Sequence, residues 1–257
     1  VSAEGHHSPL DQFAVSPVFE LPKLFGIDAS ITNSSAVMIA SVLLVLIVFA
    51  YAMRRRAVVP GRMQSLAELS YMFVRDTVGE NAGHAGLRYA PFIFTLFLFI
   101  LAMNLLGLVP KSFAPTSHII ITFGMGAFVF LGITLVGLIK KGPIGFFKHF
   151  IPSGIPLFIA PMIFLIELVS YMARPISLGL RLAANMIAGH TLIHVIAGFV
   201  APLAALGGAL GIIAAAFPVL FLVFMTGLEV FVAILQAYIF ALLCSMYLGE
   251  ALADDHH

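Results

Sequence analysis

Two stretches of this chain, 156–199 and 206–249, each run for about 44 residues with hardly a polar break; as α-helix each would measure on the order of 65 Å, against a hydrocarbon core of about 30 Å. No upright single span has that length. Each run is either two helices joined by a tight turn or one helix lying strongly tilted in a membrane. The missing polar turn favours tilt, with kinks at Pro175 and Pro218. Only PLAALGGALG, between the two runs, offers a clear break, so they read as an antiparallel hairpin turning near residue 209. Composition agrees: 61% hydrophobic and 10% charged residues lie far from the soluble average. Strands of a membrane barrel would show alternating segments of about 10 residues, and the sequence has none. The fold class expected is all-α integral membrane, with about five membrane helices plus an interfacial amphipathic helix.

The other spans follow from charge and hydropathy. The first covers 34–53 and stops at Arg54-Arg55-Arg56, a triplet that the positive-inside rule puts in the cytoplasm. Residues 1–33, with four acids, one Lys and three prolines, then form an extracytoplasmic arm. A first residue of Val suggests a trimmed precursor or an expression boundary, and the arm holds no signal-peptide pattern. Residues 60–82 are too polar to span. Met63, Leu66, Leu69, Phe73 and Val78 fall near one helical face and Gln64, Glu68, Arg75 and Asp76 elsewhere, as in a helix lying on the cytoplasmic surface; a helix packed on protein is the plainer reading. Spans 89–109 and 118–139 form a hairpin through PKSFAPTS, and Lys140, Lys141 and Lys148 bring the chain back inside. Residues 250–257 are a polar C-terminal tail. The lone Cys244 sits in an apolar run and reads as a buried, inert thiol.

Against this background the polar residues stand out. Glu167, Arg174 and Arg181 recur every seven residues, as do Glu229 and Gln236, so each set keeps one helical face. The hairpin register pairs Arg181 with Gln236 and His190 with Glu229. Arginine stays protonated at any accessible pH, and holding it near a bilayer centre costs roughly 2.5–3.5 kcal/mol. It cannot relay protons, but a carboxylate close to it is favoured in the ionised form, which makes Arg181 an electrostatic gate. Glu229 and His190 can exchange protons near neutrality; taken alone they could also be a buried pair that locks two helices. Glu167 lies on the other side of Arg181 in depth, so two half-paths that do not join directly are expected. Arg174 reads as structural, snorkelling to the interface or pairing with Glu167. His194 follows His190 by four residues, a metal-binding spacing, but His-Thr-Leu-Ile-His lacks the glutamate of the helix-borne metalloprotease motif, and no metal is expected. Asn104, in the second span, reads as a core hydrogen-bonding residue.

The runs SLGLRLAANMIAGHTL and LEVFVAILQAYIFALLCSMYL together resemble the proton-channel subunits, subunit a, of rotary F-type ATP synthases, in the form similar to alphaproteobacterial and mitochondrial members. The resemblance implies a static, non-catalytic subunit whose tilted hairpin lies against a rotating c-ring. It implies Arg181 as the arginine facing the ring carboxylates, Gln236 as its neighbour, and Asn185 and Ser177 as polar positions near the gate. His190 and Glu229 would line the outer half-channel and Glu167 the inner one. The implied partners are the c-ring, peripheral-stalk b-type subunits, the lipid bilayer and protons, with no cofactor and no nucleic acid. The implied location is a bacterial inner membrane, N-terminus periplasmic and C-terminus cytoplasmic, in preference to a mitochondrial one. A proton-coupled secondary transporter is the main alternative, but such proteins carry inverted repeats, and the first three spans do not resemble the final hairpin. An intramembrane metalloenzyme is weakened by the histidine spacing.

Overall fold

The computed structural model describes residues 17–19, 30–54, 59–109, 112–148, 150, 156 and 158–253. Most of the arm, Arg55, Arg56, Lys111, the side chain of Lys148 and the last four residues lie outside the described residues. The fold is all-α apart from a short antiparallel pairing of β1 (Pro17–Phe19) with β2 (Ile31–Thr32), in which Pro17 faces Thr32 and Phe19 faces Ile31. Six helices follow: α1 (Asn33–Ala52), α2 (Arg62–Gly86), α3 (Ala90–Gly107), α4 (Ile119–Lys148), α5 (Ala160–Ala204) and α6 (Gly208–Leu252). Five segments among the described residues are long and apolar enough to cross a membrane, and they contain α1, α3, α4, α5 and α6.

Local chemistry explains the element ends. At the start of α1 the Ser35 hydroxyl accepts from the Thr32 N–H at 2.9 Å and the Thr32 hydroxyl accepts from the Ser35 N–H at 3.3 Å. This reciprocal cap satisfies two donors that a helix start leaves open. The two long apolar runs resolve as single helices of 45 residues each, about 68 Å long, continuous through Pro175 and Pro218. Between them the chain reverses at Gly207 and Gly208, whose φ values of 75° and 58° suit glycine and few other residues.

The surface helix has two apolar-competent faces rather than one. Val78 is fully buried, together with Gln64, Ala67, Val74 and Ala82, and so does not share a face with Met63, Leu66 and Leu69, all at least 45% exposed. Gln64 lies off the Met63, Leu66 and Leu69 face, as expected, but is buried rather than solvated and donates to Glu68 at 2.8 Å. One side of α2 therefore packs on protein while the other presents Met63, Leu66, Leu69 and Met72 outward, as a helix at a bilayer surface does.

The chain forms two compact units. The first contains 1–45, 100–118 and 182–236, and buries Met103, Leu182, Met186 and Ala233 with the polar Asn104 and Gln236. The second contains 46–99, 119–181 and 237–257, and buries Val74, Val78, Ile93, Val129, Phe240 and Cys244. Close helix approach in the second unit depends on glycine. A Cβ on Gly179 would stand 2.8 Å from the Cα of Phe123, so α4 and α5 meet backbone to backbone there.

Candidate functional site

In the first unit, α5 and α6 contribute their polar residues to one cavity of about 790 Å³. His190 and His194 come from α5, Thr226 and Glu229 from α6, and Asn33 and Val37 from α1; Gly107 at the end of α3 and Leu108, Val109, Ser112 and Phe113 beyond it also line it. His190 and Glu229, paired by register in the sequence, are each 8% exposed and line this same space. His194, an exposed residue of α5, also reaches it, and its Nδ1 lies 3.0 Å from the His190 carbonyl oxygen. Among the described residues no group of three or more His, Cys, Asp or Glu side chains is placed to hold a metal ion.

One residue that sequence reasoning missed makes the cavity wall possible. The Glu229 carboxylate lies directly against Gly189: a Cβ there would overlap Oε1 and stand 2.9 Å from Cδ. Glycine immediately before His190 thus admits the acid of α6 to the backbone of α5. Glu229 Oε2 has no hydrogen-bond partner among the described residues, which leaves an acceptor directed to the cavity side chains or to water.

Beside this cavity, in the same unit, Asn185 Nδ2 donates to Gln236 Oε1 at 2.8 Å. Gln236 is 2% exposed, whereas Asn185 is exposed, so the amide pair links the interior of the unit to its surface. The partner of Gln236 is one helical turn further along α5 than the residue set opposite it by the register argument. Asn104 is fully buried and donates to the Ala233 carbonyl at 3.3 Å, a bond between α3 and α6 that fits the core role read for it.

The second unit holds the other candidates. Arg181 and Ser177 are exposed on α5, along a face that also presents Ala173. Among the described residues no carboxylate pairs with Arg181. Glu167 is half-buried nearer the start of α5. Arg174 does not chiefly pair with Glu167, whose Oε1 lies 4.0 Å from its Nη2. Its main partner is Glu250, to which Nη1 donates, and its guanidinium also faces the rings of Tyr247 and Tyr171. Glu250 was missed as part of the polar set, although a signal existed: it lies two heptads beyond Gln236, on the face already marked by Glu229.

Comparison with known proteins adds an independent line. The ATP synthase A chain family matches residues 35–249. An ATP synthase subunit a from Wolbachia sp. subsp. Drosophila simulans (strain wRi) is 47% identical over 244 residues, which cover 95% of this chain and 98% of the relative. The ATP synthase subunit a of Maricaulis maris is 45% identical over 256 residues, covering 97% and 98%, and that of Pelagibacter ubique 44% over 250 residues, covering 97% and 99%.

Proposed function

Because this chain belongs to the ATP synthase A chain family, we propose that it is the static proton-translocating subunit of a rotary ATP synthase, itself non-catalytic, in which Arg181 faces the carboxylates of a c-ring. The observation that carries this reading is the exposure of Arg181 without a carboxylate partner among the described residues, on a 45-residue apolar helix. A permanent cation in that position calls for an anion beyond the described residues, which a ring carboxylate would supply. The small residues Ala173 and Ser177 beside it allow another helix to approach.

The chemistry then follows. A ring carboxylate facing lipid must be neutral, and it ionises beside Arg181 or in water. Protons enter through the cavity of His190 and Glu229, neutralise a carboxylate leaving Arg181, and after nearly a full turn depart past Glu167 and Ser177. Asn185 and Gln236 flank the gate. Each proton crossing 100 mV supplies about 2.3 kcal/mol, and two half-paths joined directly would lose it without rotation. Arg181 is the barrier between them. The subunit sits in a bacterial inner membrane with its N-terminal arm periplasmic and its C-terminus cytoplasmic, held by b-type subunits of the peripheral stalk.

The test is Arg181→Ala in the assembled complex, reconstituted in vesicles. Proton-driven ATP synthesis should be abolished while the complex still assembles, and Arg181→Lys should fail too, since the planar fork is lost and a buried lysine can deprotonate. Wild-type synthesis by Arg181→Ala would end the gating role. A proton-coupled transporter predicts purification without a c-ring; the proposed reading requires co-isolation with one.

A further inference from the structure

We infer that Glu250 is a positioning residue for the inner half-path: it holds the Arg174 guanidinium off Glu167, leaving the Glu167 carboxylate able to take up and release a proton. The inference rests on the reading of Glu167 as the inner half-path acid. It goes beyond that reading by giving Arg174 and Glu250 one joint task.

Arg174 stands between two carboxylates on different helices. Nη1 donates to Glu250 Oε2, while Nη2 stops 4.0 Å short of Glu167 Oε1, outside hydrogen-bond range. The carbon of the guanidinium lies 4.8 Å from the Tyr247 ring centre and 5.3 Å from that of Tyr171, so the two rings define the slot in which it can slide. Tyr171 is itself fixed by a 2.6 Å hydrogen bond between its hydroxyl and that of Thr134 on α4. On the far side, the Lys141 ammonium donates to the Glu250 carbonyl at 3.3 Å and ties the end of α6 to α4. These contacts fix the neighbours of Arg174, and what differs between its two carboxylates is which one it engages.

Arginine cannot shed its charge, and only 18% of its side chain is exposed here, so water does not replace a lost partner. Without the Glu250 carboxylate, the carboxylate left beside Arg174 among the described residues is Glu167, seven residues away on the same face of α5. A guanidinium and a carboxylate in reach of each other close to a bidentate pair. A carboxylate hydrogen-bonded in that way is held more tightly in its ionised form than one that meets the guanidinium only at 4.0 Å. Glu250 therefore protects the function of Glu167 by occupying the cation beside it.

The test uses the whole complex in vesicles and reads proton flux. Glu250→Gln should lower flux about tenfold, a coupling in the range found within one ion-pair network. Adding Arg174→Gln should restore most of it, because no cation then remains to seize Glu167. If Glu250→Gln fails to assemble, Glu250→Asp, shorter by one methylene, carries the same expectation: slower alone and recovered with Arg174→Gln. Unchanged flux in both single variants would overturn the inference. So would a double variant as slow as Glu250→Gln, since Glu250 would then carry protons itself or only support the fold. Glu167→Gln separates this from the underlying reading: if it leaves flux intact, the half-path assignment fails, whereas slow flux there with no recovery in the double variant overturns only the role of Glu250.

Discussion

At the scale of single residues, Gly189 explains how an acid and a histidine on different helices share one cavity. Its missing side chain is the space that the Glu229 carboxylate occupies. Gly189→Ala is expected to push that carboxylate off the α5 backbone and to cost about 1–3 kcal/mol, the usual penalty for overpacking a filled site. Because the displaced group is the proposed proton carrier, flux should fall toward that of Glu229→Gln, which can hydrogen-bond but carries no proton. Thermal midpoints of the purified complex and flux in vesicles measure the two effects separately. Wild-type flux in Gly189→Ala would mean that the position of Glu229 does not matter for conduction.

At the scale of elements, the long helices depend on how closely their neighbours approach. Gly179 meets the backbone of Phe123, an atom that cannot swing aside, whereas Gly198 on the same helix has nothing within 4 Å of where its Cβ would be. Gly179→Leu should therefore separate α4 from α5 and lower the thermal midpoint of the complex sharply or prevent its accumulation, while Gly198→Leu should be tolerated. Equal behaviour of the two variants would show that the α4–α5 contact contributes little. The same reasoning applies to α2, where the inward residues are small or mid-sized and the outward ones are large and apolar. Its two faces differ accordingly: one packs on protein, and the exposed one has the apolar character of a helix that lies on a bilayer surface.

At the scale of the whole molecule, orientation decides which half-path is the entrance. The charge rule places the arm outside and α2 inside, and the chain is convenient for testing it because Cys244 is fully buried. A cysteine at Ser8, in the part of the arm outside the described residues, should react with an impermeant thiol reagent from the periplasmic side of intact cells. One at Ser65 should react only in inverted vesicles. The reverse pattern would exchange the labels of the two proposed half-paths and leave the proposed gate at Arg181 unaffected.

Much of this protein was legible without coordinates, for a definite reason. Apolar length and charge at the flanks are local properties, so the runs that became α1, α3, α4, α5 and α6 could be marked out in the sequence, and the seven-residue spacing put Glu167, Arg174 and Arg181 on one face. The absence of a polar turn likewise pointed to single helices in the two long runs, which the structure bears out. What could not be read was which faces touch. The bond from Asn185 to Gln236, the ion pair from Arg174 to Glu250 and the seating of Glu229 on Gly189 join positions 51, 76 and about 40 residues apart. Val78 falls on a different face of α2 from the one expected for the same cause, since a helix packed on protein along one side and apolar along its exposed side has no single apolar face. Periodicity states what each helix offers; only tertiary packing, through small residues that let particular turns come together, decides what each offer meets.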